Sequence, residues 1–216
     1  MISASEARAI LARQYEALFG APPTWPALRL LLAQSRGEGG WGDFGGYDAE
    51  GRYWEFNWGA VQSKHAPPCP FGTFERQDSR PTANGQVPFR WCFQGYLTND
   101  DGARDFLKHA LVYRKAAHAA AKTGDVRAYA SALYGDGSAP YYGGFGATRE
   151  ARIQSYVDFL SSQLAIVDRA LGTGPTVEPT AEPTIDYRPP YVASRARSPV
   201  VPLAVAAAFA AYLISR

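Results

Sequence analysis

The chain has 216 residues, 46% of them hydrophobic and 19% charged, which is enough apolar material for one domain of ordinary size with a hydrophobic core. The net charge of only +2 gives no electrostatic argument for a nucleic-acid partner, and we expect none. Two cysteines, Cys69 and Cys92, do not make a disulfide framework. No CxxC motif or histidine–cysteine cluster indicates zinc, so the sequence predicts neither a metal nor a cofactor.

Apolar side chains predict two helices at the start of the chain. Over residues 3–19 they recur at helical spacing, and Gly20 ends that pattern. Thr24 can then cap a second apolar helix. This second helix is predicted to stop in the Gly37–Gly40 region, so that Glu38 lies at its end.

Residues 39–95 differ from the segments on either side of them. They are rich in glycine, proline and aromatic residues, and helical patterns are few. This composition predicts loops with one or two short β-hairpins, one around residues 47–56 and one between Cys69 and Cys92.

The remaining helices are predicted between residues 100 and 171. Asp100 or Asp101 is expected to cap a helix that runs from Gly102 to about Lys122. Gly124–Asp125 starts another short helix, and a loop rich in glycine and tyrosine follows it. The last helix is predicted from about Thr148 to Leu171, where apolar residues again recur at helical spacing.

These segments together predict a mainly α fold of the α+β type. A helical domain over residues 1–171 would carry a small lobe of loops and β-hairpins. After it, PTVE, PTAE and PTID follow one another at residues 175–186. Such a proline-rich tract cannot form a core and should be extended, at about 3.1 Å per residue. We therefore predict a linker over residues 172–198.

An apolar run closes the sequence at residues 199–214, with Arg195 and Arg197 before it and Arg216 after it. As a helix it would span about 22 Å, against about 30 Å for a bilayer core, but arginines at both ends can reach the surfaces. The sequence thus predicts a C-terminal hydrophobic helix over residues 199–215, transmembrane or membrane-associated. The alternative is a helix buried against another protein.

The segment Glu38-Gly39-Gly40-Trp41-Gly42 is the sharpest chemical feature of the sequence. A carboxyl group at the end of an apolar helix would have a raised pKa and stay protonated near neutrality. A glycosidase needs such a proton donor for the leaving sugar oxygen. The alternative is an ordinary solvated Glu in a helix-ending turn.

A second segment with catalytic potential runs from Glu55 through Asn57 and Trp58 to Gln62. Taken alone, its mixture of aromatic and polar residues is equally typical of side chains that pack a hairpin. Its interest comes from its position shortly after Glu38.

Together the two segments resemble a known group of enzymes. Glu38–Gly42 is similar to the Glu-Ser-Gly-Trp-Gly segment of bacterial glucosaminidase-type muramidases, which belong to the lysozyme-like superfamily. Asn57–Gln62 resembles the Asn-x-x-Gly-x-x segment that follows in this group. It also resembles the Gly-Leu-Met-Gln segment of lytic transglycosylases, with Gln62 in the place of the Gln. The resemblance covers roughly residues 24–168, and implies a lysozyme-like fold.

The resemblance has two departures. Gly39 stands where the family has Ser, so any role of that hydroxyl is missing. The stretch between Gln62 and Phe93, which holds both cysteines, has no clear family counterpart and would shape the cleft wall.

The resemblance implies cleavage of peptidoglycan glycan strands, with Glu38 as the general acid and later the base. Glu55 is the best second carboxylate, ahead of Asp43 and Asp48. Many transglycosylases lack one, and there the 6-hydroxyl of the substrate attacks and leaves a 1,6-anhydro product. The match of Gln62 slightly favours this second outcome. The expected substrate-binding side chains are Trp41, Trp58, Tyr141 and Tyr142 as stacking rings, and Asn57 and Gln62 as polar contacts.

Two other functions fit the same sequence. One is a non-catalytic module that binds the cell wall on a lysozyme-like scaffold. The other is a structural, membrane-anchored protein of a virion or a secretion apparatus, whose proteins would then be partners. The expected location is a virion membrane or the bacterial inner membrane, with action on the periplasmic cell wall. A phage-type origin is favoured because no signal peptide is apparent at the N-terminus.

The sequence leaves the state of Cys69 and Cys92 open. They can bridge the ends of the inserted hairpin, or remain two free thiols in a reducing compartment.

Overall fold

The computed structural model describes residues 2–82, 85–137 and 140–172, without the side chains of residues 79–82, 85 and 86. The predicted linker beyond Gly172 and the predicted hydrophobic helix at 199–215 lie outside the described residues. Within the described ranges, no helix is both long and apolar enough to cross a bilayer.

Helices dominate the described part of the chain, and strands form a small separate lobe, as predicted. The helices are α1 (Ala4–Phe19), α2 (Trp25–Gly39), α3 (Asn99–Leu107), α4 (Lys115–Thr123), α5 (Val126–Tyr134) and α6 (Arg149–Leu171). The strands are β1 (Gly46–Tyr47), β2 (Tyr53–Trp54), β3 (Thr73–Thr82) and β4 (Gly85–Gln94).

The first two helices begin and end where the sequence predicts. Ser3 caps α1 in a capping box with Glu6, and Gly20 ends α1 in the left-handed conformation. Thr24 caps α2 by accepting a hydrogen bond from the backbone N–H of Ala27. Helix α2 is apolar on all sides in its middle, with Leu30–Ala33 buried. It is therefore the central helix, and α1, α4 and α6 pack around it.

The prediction of one helix from Gly102 to Lys122, capped by Asp100 or Asp101, is wrong. Thr98 is the cap, because its hydroxyl accepts a hydrogen bond from the N–H of Asp101. Asp100 instead accepts hydrogen bonds from Arg13 and Gln14 of α1.

The long predicted helix is also interrupted. After α3 the chain forms a π-helical turn over Lys108–Val112. Arg114 then leaves helical geometry, with φ −132° and ψ 74°, so α4 begins anew at Lys115. Apolar periodicity continues across this junction, since Ala110, Leu111 and Ala117 are all buried, and the break is therefore not visible in the pattern.

The last two helices agree with the sequence prediction. Asp125 caps α5 through the N–H of Ala128, and Thr148 caps α6 through the N–H of Ala151. Helix α6 turns a narrow face inward, whose buried residues are Ile153, Tyr156, Leu160 and Val167.

The lobe contains two antiparallel ribbons. Strands β1 and β2 pair over two residues, with Tyr47 opposite Tyr53. Strands β3 and β4 form a hairpin of ten residues a side, which occupies most of the stretch that lacks a family counterpart. A small aromatic core of Trp54, Phe74 and Phe93 joins the two ribbons.

Cys69 and Cys92 form a disulfide, which answers the question that the sequence leaves open. Both cysteines are buried, and Cys92 lies within β4. The bridge therefore ties the segment that enters the hairpin to the strand that leaves it.

Replacing both cysteines, as Cys69→Ser with Cys92→Ser, should lower the free energy of unfolding by about 3 kcal/mol, because the bridge closes a loop in the unfolded chain. Urea unfolding of the two proteins measures this difference. Thiol titration of the denatured, unreduced wild-type chain should detect no free thiol, and two titratable thiols would contradict the bridge.

Candidate active site

The C-terminal end of α2 places Glu38 between the helical body and the lobe. Glu38 lies in the last turn, and Gly40 ends the helix in the left-handed conformation. The end of α2 lies directly against the loop after β2, because a Cβ atom at Gly39 would be 2.2 Å from the carbonyl oxygen of Asn57. The departure from the family's Ser therefore has a steric reason here: the backbone of this loop fills the space of a side chain.

Three side chains donate hydrogen bonds to the Glu38 carboxyl group. Tyr156 of α6 donates a short bond to Oε1. The hydroxyl of Tyr141 lies 2.9 Å from Oε2, and Nε2 of Gln34, one turn earlier in α2, lies 3.4 Å from both oxygens. The orientation of this carboxyl group is thus fixed from three different directions.

Burial raises the pKa of Glu38 to about 7, although the hydrogen bonds from Tyr156, Tyr141 and Gln34 act in the opposite direction. The last turn of a helix also disfavours an anion, since the carbonyl end of the helix dipole is negative. Glu38 therefore binds a proton in the pH range where a general acid is useful.

The hydroxyl of Tyr141 can serve both protonation states of Glu38. It lies 2.9 Å from Oε2 of Glu38 and 3.2 Å from the carbonyl oxygen of Gly59, but it has one proton to donate. Beside an ionised Glu38 it donates to the carboxylate. Beside a protonated Glu38, the hydroxyl of Tyr141 can accept a hydrogen bond from the carboxylic acid. It then donates its own proton to the carbonyl oxygen of Gly59 instead. Burial and the nearby Glu38 raise the pKa of Tyr141 well above its ordinary value, so the phenol keeps its proton.

A further layer of hydrogen bonds and rings supports these contacts. Tyr129 of α5 donates to Oε1 of Gln34 at 2.5 Å, which directs the amide N–H of Gln34 towards Glu38. The ring of Tyr142 stacks on that of Tyr156 at 3.7 Å, and its hydroxyl donates to the carbonyl oxygen of Ala130. The site is thus built from α2, α5, α6 and the loop before α6.

The loop after β2 has a strained backbone that Asn57 stabilises. Phe56 and Ala60 have positive φ angles of 62° and 46°, which cost free energy in residues other than glycine. The buried side chain of Asn57 donates to the carbonyl oxygens of Val61 and Gln94, and accepts from the N–H groups of Gly59 and Val61. This bracing fixes the Gly59 carbonyl beside Tyr141.

Glu38 opens onto a cleft of about 720 Å³. One wall is the helical side, with Tyr141, Tyr142 and Tyr156. The β3–β4 hairpin also lines the cleft, through Asp78 and its partner across the ribbon, Phe89. The cleft also includes Gln62, His109, Arg114, Phe145 and Phe159.

The structure brings four of the predicted site residues together: Glu38, Gln62, Tyr141 and Tyr142 all line this cleft. Asn57 is fully buried beneath the cleft, where it supports the loop, so its side chain offers no surface to a polymer. Glu55 is not among the residues that line the cleft, and its backbone pairs with that of Tyr96 instead.

The prediction that Trp41 and Trp58 stack on sugars needs correction. Trp58 is 0% exposed and Trp41 is 7% exposed, so neither offers a ring face to a ligand. Their indole N–H groups donate to Asn99 and to the carbonyl oxygen of Leu32, respectively. Both rings belong to the core of the helical body. Asp48 is one of the weaker candidates for the second carboxylate. Both of its carboxylate oxygens accept hydrogen bonds within the turn and ribbon formed by β1 and β2.

Sequence reasoning missed two important residues of the cleft. Tyr156 is not among the predicted site residues, although it is the one tyrosine on the buried face of α6, and that exception is a usable signal. Asp78 lies in the stretch without a family counterpart, and no local pattern there points to the cleft.

The raised pKa of Glu38 predicts a pH-dependent stability. The folded chain holds this proton up to about pH 7, whereas the unfolded chain releases it near 4.5. Stability is therefore lost as the pH rises between these values, by about 3 kcal/mol at most. Glu38→Gln should unfold at higher urea than the wild type at pH 8 and at nearly the same urea concentration at pH 4. Parallel pH profiles for the two proteins would contradict a buried, protonated Glu38.

No protein-family profile matches the sequence, and a search of curated proteins finds no relative. Solved structures do match the fold. One is a mutant of a peptidoglycan hydrolase from Sphingomonas sp. A1, with 17% identity and a TM-score of 0.44, covering 76% of this chain and 92% of that chain.

Two others are structures of the glycoside hydrolase domain of FlgJ from Salmonella typhimurium, each 20% identical. A C-terminally truncated form has a TM-score of 0.42, covering 77% of this chain and 99% of that chain. The other form has a TM-score of 0.40, covering 78% of this chain and 92% of that chain. All three are therefore structures of peptidoglycan or glycoside hydrolases.

Proposed function

We propose that this chain cleaves the glycan strands of peptidoglycan, with Glu38 as the general acid. The observation that carries the proposal is the setting of Glu38: a partly buried carboxyl group with a pKa of about 7, held by three donors in a cleft of about 720 Å³. Glycosidic bond cleavage needs such a group to protonate the leaving oxygen. The sequence resemblance supplies the identity of the polymer.

The acid step requires that Glu38 can give up its proton without losing its position. As the proton moves to the glycosidic oxygen, the C–O bond breaks and its electron pair stays on the leaving sugar. The new carboxylate then gains full hydrogen bonds from Tyr156 and Tyr141. These donors become stronger for the charged form, which favours the transfer.

Asp78 is the better second carboxylate. It lines the same cleft as Glu38, from the β3–β4 hairpin, whereas Glu55 does not line the cleft. Gln62 donates a hydrogen bond to Oδ2 of Asp78, which orients the carboxylate. We propose that Asp78 takes a proton from the attacking water, giving hydrolysis and a reducing sugar end. In the sequence, the resemblance of Gln62 to the Gln of lytic transglycosylases favours transglycosylation. In the structure, Gln62 is also the hydrogen-bond partner of Asp78.

Three isosteric variants test this assignment on purified sacculi. Glu38→Gln should lower the rate of glycan cleavage by about 10²–10⁴, because the proton donor is lost. Asp78→Asn should also lower the rate of glycan cleavage, since the amide cannot accept the proton of the attacking water. Glu55→Gln, which replaces a carboxylate outside the cleft, is the matched control and should keep near wild-type activity.

Product analysis by mass spectrometry completes the test. Reducing ends are expected, whereas 1,6-anhydro ends together with an active Asp78→Asn variant would replace hydrolysis by transglycosylation. Wild-type activity in Glu38→Gln would refute the proposed function. Binding of sacculi without any cleavage by the wild-type chain would favour a non-catalytic wall-binding module.

We also propose that residues 173–216 tether this enzyme to a membrane or a particle, on the strength of the proline-rich repeat and the apolar run in the sequence. The full chain should co-sediment with lipid vesicles, and a chain ending at Gly172 should remain in solution while it still cleaves sacculi. Equal vesicle binding by both chains would contradict the tether. In this same proposal, the particle to which the enzyme is tethered is a virion or a secretion apparatus.

A further inference from the structure

A second groove, of about 330 Å³, lies on the β lobe and shares no lining residue with the cleft at Glu38. The rings of Tyr47 and Tyr53 border it, and charged side chains complete its wall. These charged residues are Asp48, Glu75, Arg76 and Arg90. We call it the ribbon groove, and neither the catalytic proposal nor the core of the lobe uses it.

Two tyrosines are the unusual feature of the ribbon groove. Tyr47 is 63% exposed and Tyr53 is 53% exposed, although each lies in a strand. They face each other across the β1–β2 ribbon, with ring centroids 5.2 Å apart and planes at 63°. Large exposed rings beside polar groups are typical of a surface that binds a partner.

The ribbon that carries these rings is fixed in advance. Oδ1 of Asp48 accepts hydrogen bonds from the N–H groups of Glu50 and Arg52, both at 2.9 Å. Its other oxygen accepts from Nε of Arg52 and from the indole N–H of Trp54. A turn held by four such bonds presents Tyr47 and Tyr53 at low cost in conformational entropy.

The polar wall of the groove suits a hydroxylated, partly anionic ligand. Arg76 is anchored by a bond from Nε to the carbonyl oxygen of Gly45, and Arg90 forms an ion pair with Glu75. Guanidinium groups at these positions can meet the carboxylates of stem peptides, and the carboxylates can accept from sugar hydroxyls. Aromatic rings flanked by such groups combine stacking with hydrogen bonding.

The β3–β4 hairpin connects this groove with the catalytic cleft. It contributes Glu75, Arg76 and Arg90 to the groove, and Asp78 and Phe89 to the cleft. Arg76 and Asp78 are two residues apart on one strand, which is about 7 Å along β3. One extended polymer can therefore contact both places.

We propose that the ribbon groove is a second binding site for glycan strands, separate from the site of cleavage. Tyr47 and Tyr53 stack on sugar rings there, and Arg76 and Arg90 contact anionic substituents. The identity of the polymer rests on the proposed function. The site keeps the enzyme on its insoluble substrate between cleavage events.

The test compares binding and cleavage in the full chain. Binding to purified sacculi is measured by co-sedimentation in the Glu38→Gln background, so that no cleavage is needed. Tyr47→Ala with Tyr53→Ala should weaken binding about tenfold, or about 1.4 kcal/mol. In the background with Glu38 intact, the same pair should slow the digestion of sacculi.

Matched control variants show whether a loss of binding comes from the loss of the tyrosine rings. Tyr47→Phe with Tyr53→Phe keeps the rings and should retain most of the binding. Leu97→Ala removes a side chain that is 78% exposed and lines neither site, and should bind as the wild type does. The single variant Tyr47→Ala, at the more exposed position, replaces the pair if thermal unfolding shows that the pair misfolds.

Unchanged binding in the Ala variants would overturn the proposal, as would an equal loss in the Phe pair. A wild-type chain that leaves sacculi uncleaved refutes the proposed function alone. In that case, the binding comparison in the Glu38→Gln background still tests whether the ribbon groove binds glycan strands.

Discussion

The close approach of the end of α2 to the loop after β2 is the constraint on which the site depends. A side chain at Gly39 would collide with the backbone of Asn57 and Trp58, so the helix and the loop approach each other closely through main-chain atoms here. This contact brings the Gly59 carbonyl within reach of Tyr141 and sets Glu38 where water is partly excluded. The raised pKa of Glu38 follows from that exclusion. The positive φ angles of Phe56 and Ala60 show that the loop accepts backbone strain to keep this geometry.

The hairpin completes what the helical body cannot supply. The helices provide an acid and a set of tyrosines, but the described part of the helical side offers no second carboxylate to the cleft. Asp78 reaches it only because β3 and β4 extend as a long ribbon, and the Cys69–Cys92 bridge fixes the base of that ribbon. Neither cysteine lines the cleft, so the bridge acts on it only through the position of the hairpin.

Much of the helical body could be predicted from the sequence, because caps and apolar spacing act locally. Ser3, Thr24, Asp125 and Thr148 each cap the expected helix. The break at Arg114 was not predictable in this way, since the apolar pattern continues through the π-helical turn. Glu38 was identified from its place at a helix end. The prediction that Trp41 and Trp58 bind sugars is wrong because aromatic residues near a candidate catalytic Glu serve the core as readily as a ligand, and only burial distinguishes the two uses.

The choice between Glu55 and Asp78 illustrates the limit of reasoning from neighbouring residues. Glu55 was preferred because it lies close to Asn57 and Gln62 in the sequence, and these belong to a recognisable motif. In the structure that motif supports the loop: the side chain of Asn57 braces it, and Gly59 presents a carbonyl group. The backbone of Glu55 pairs with that of Tyr96, and Glu55 does not line the cleft. Asp78 is sixteen residues beyond Gln62, yet the two side chains are hydrogen-bonded across the cleft wall. Since a reacting pair of carboxylates must face one bond from two sides, the second one is more readily supplied by a separate element than by the segment that supports the first.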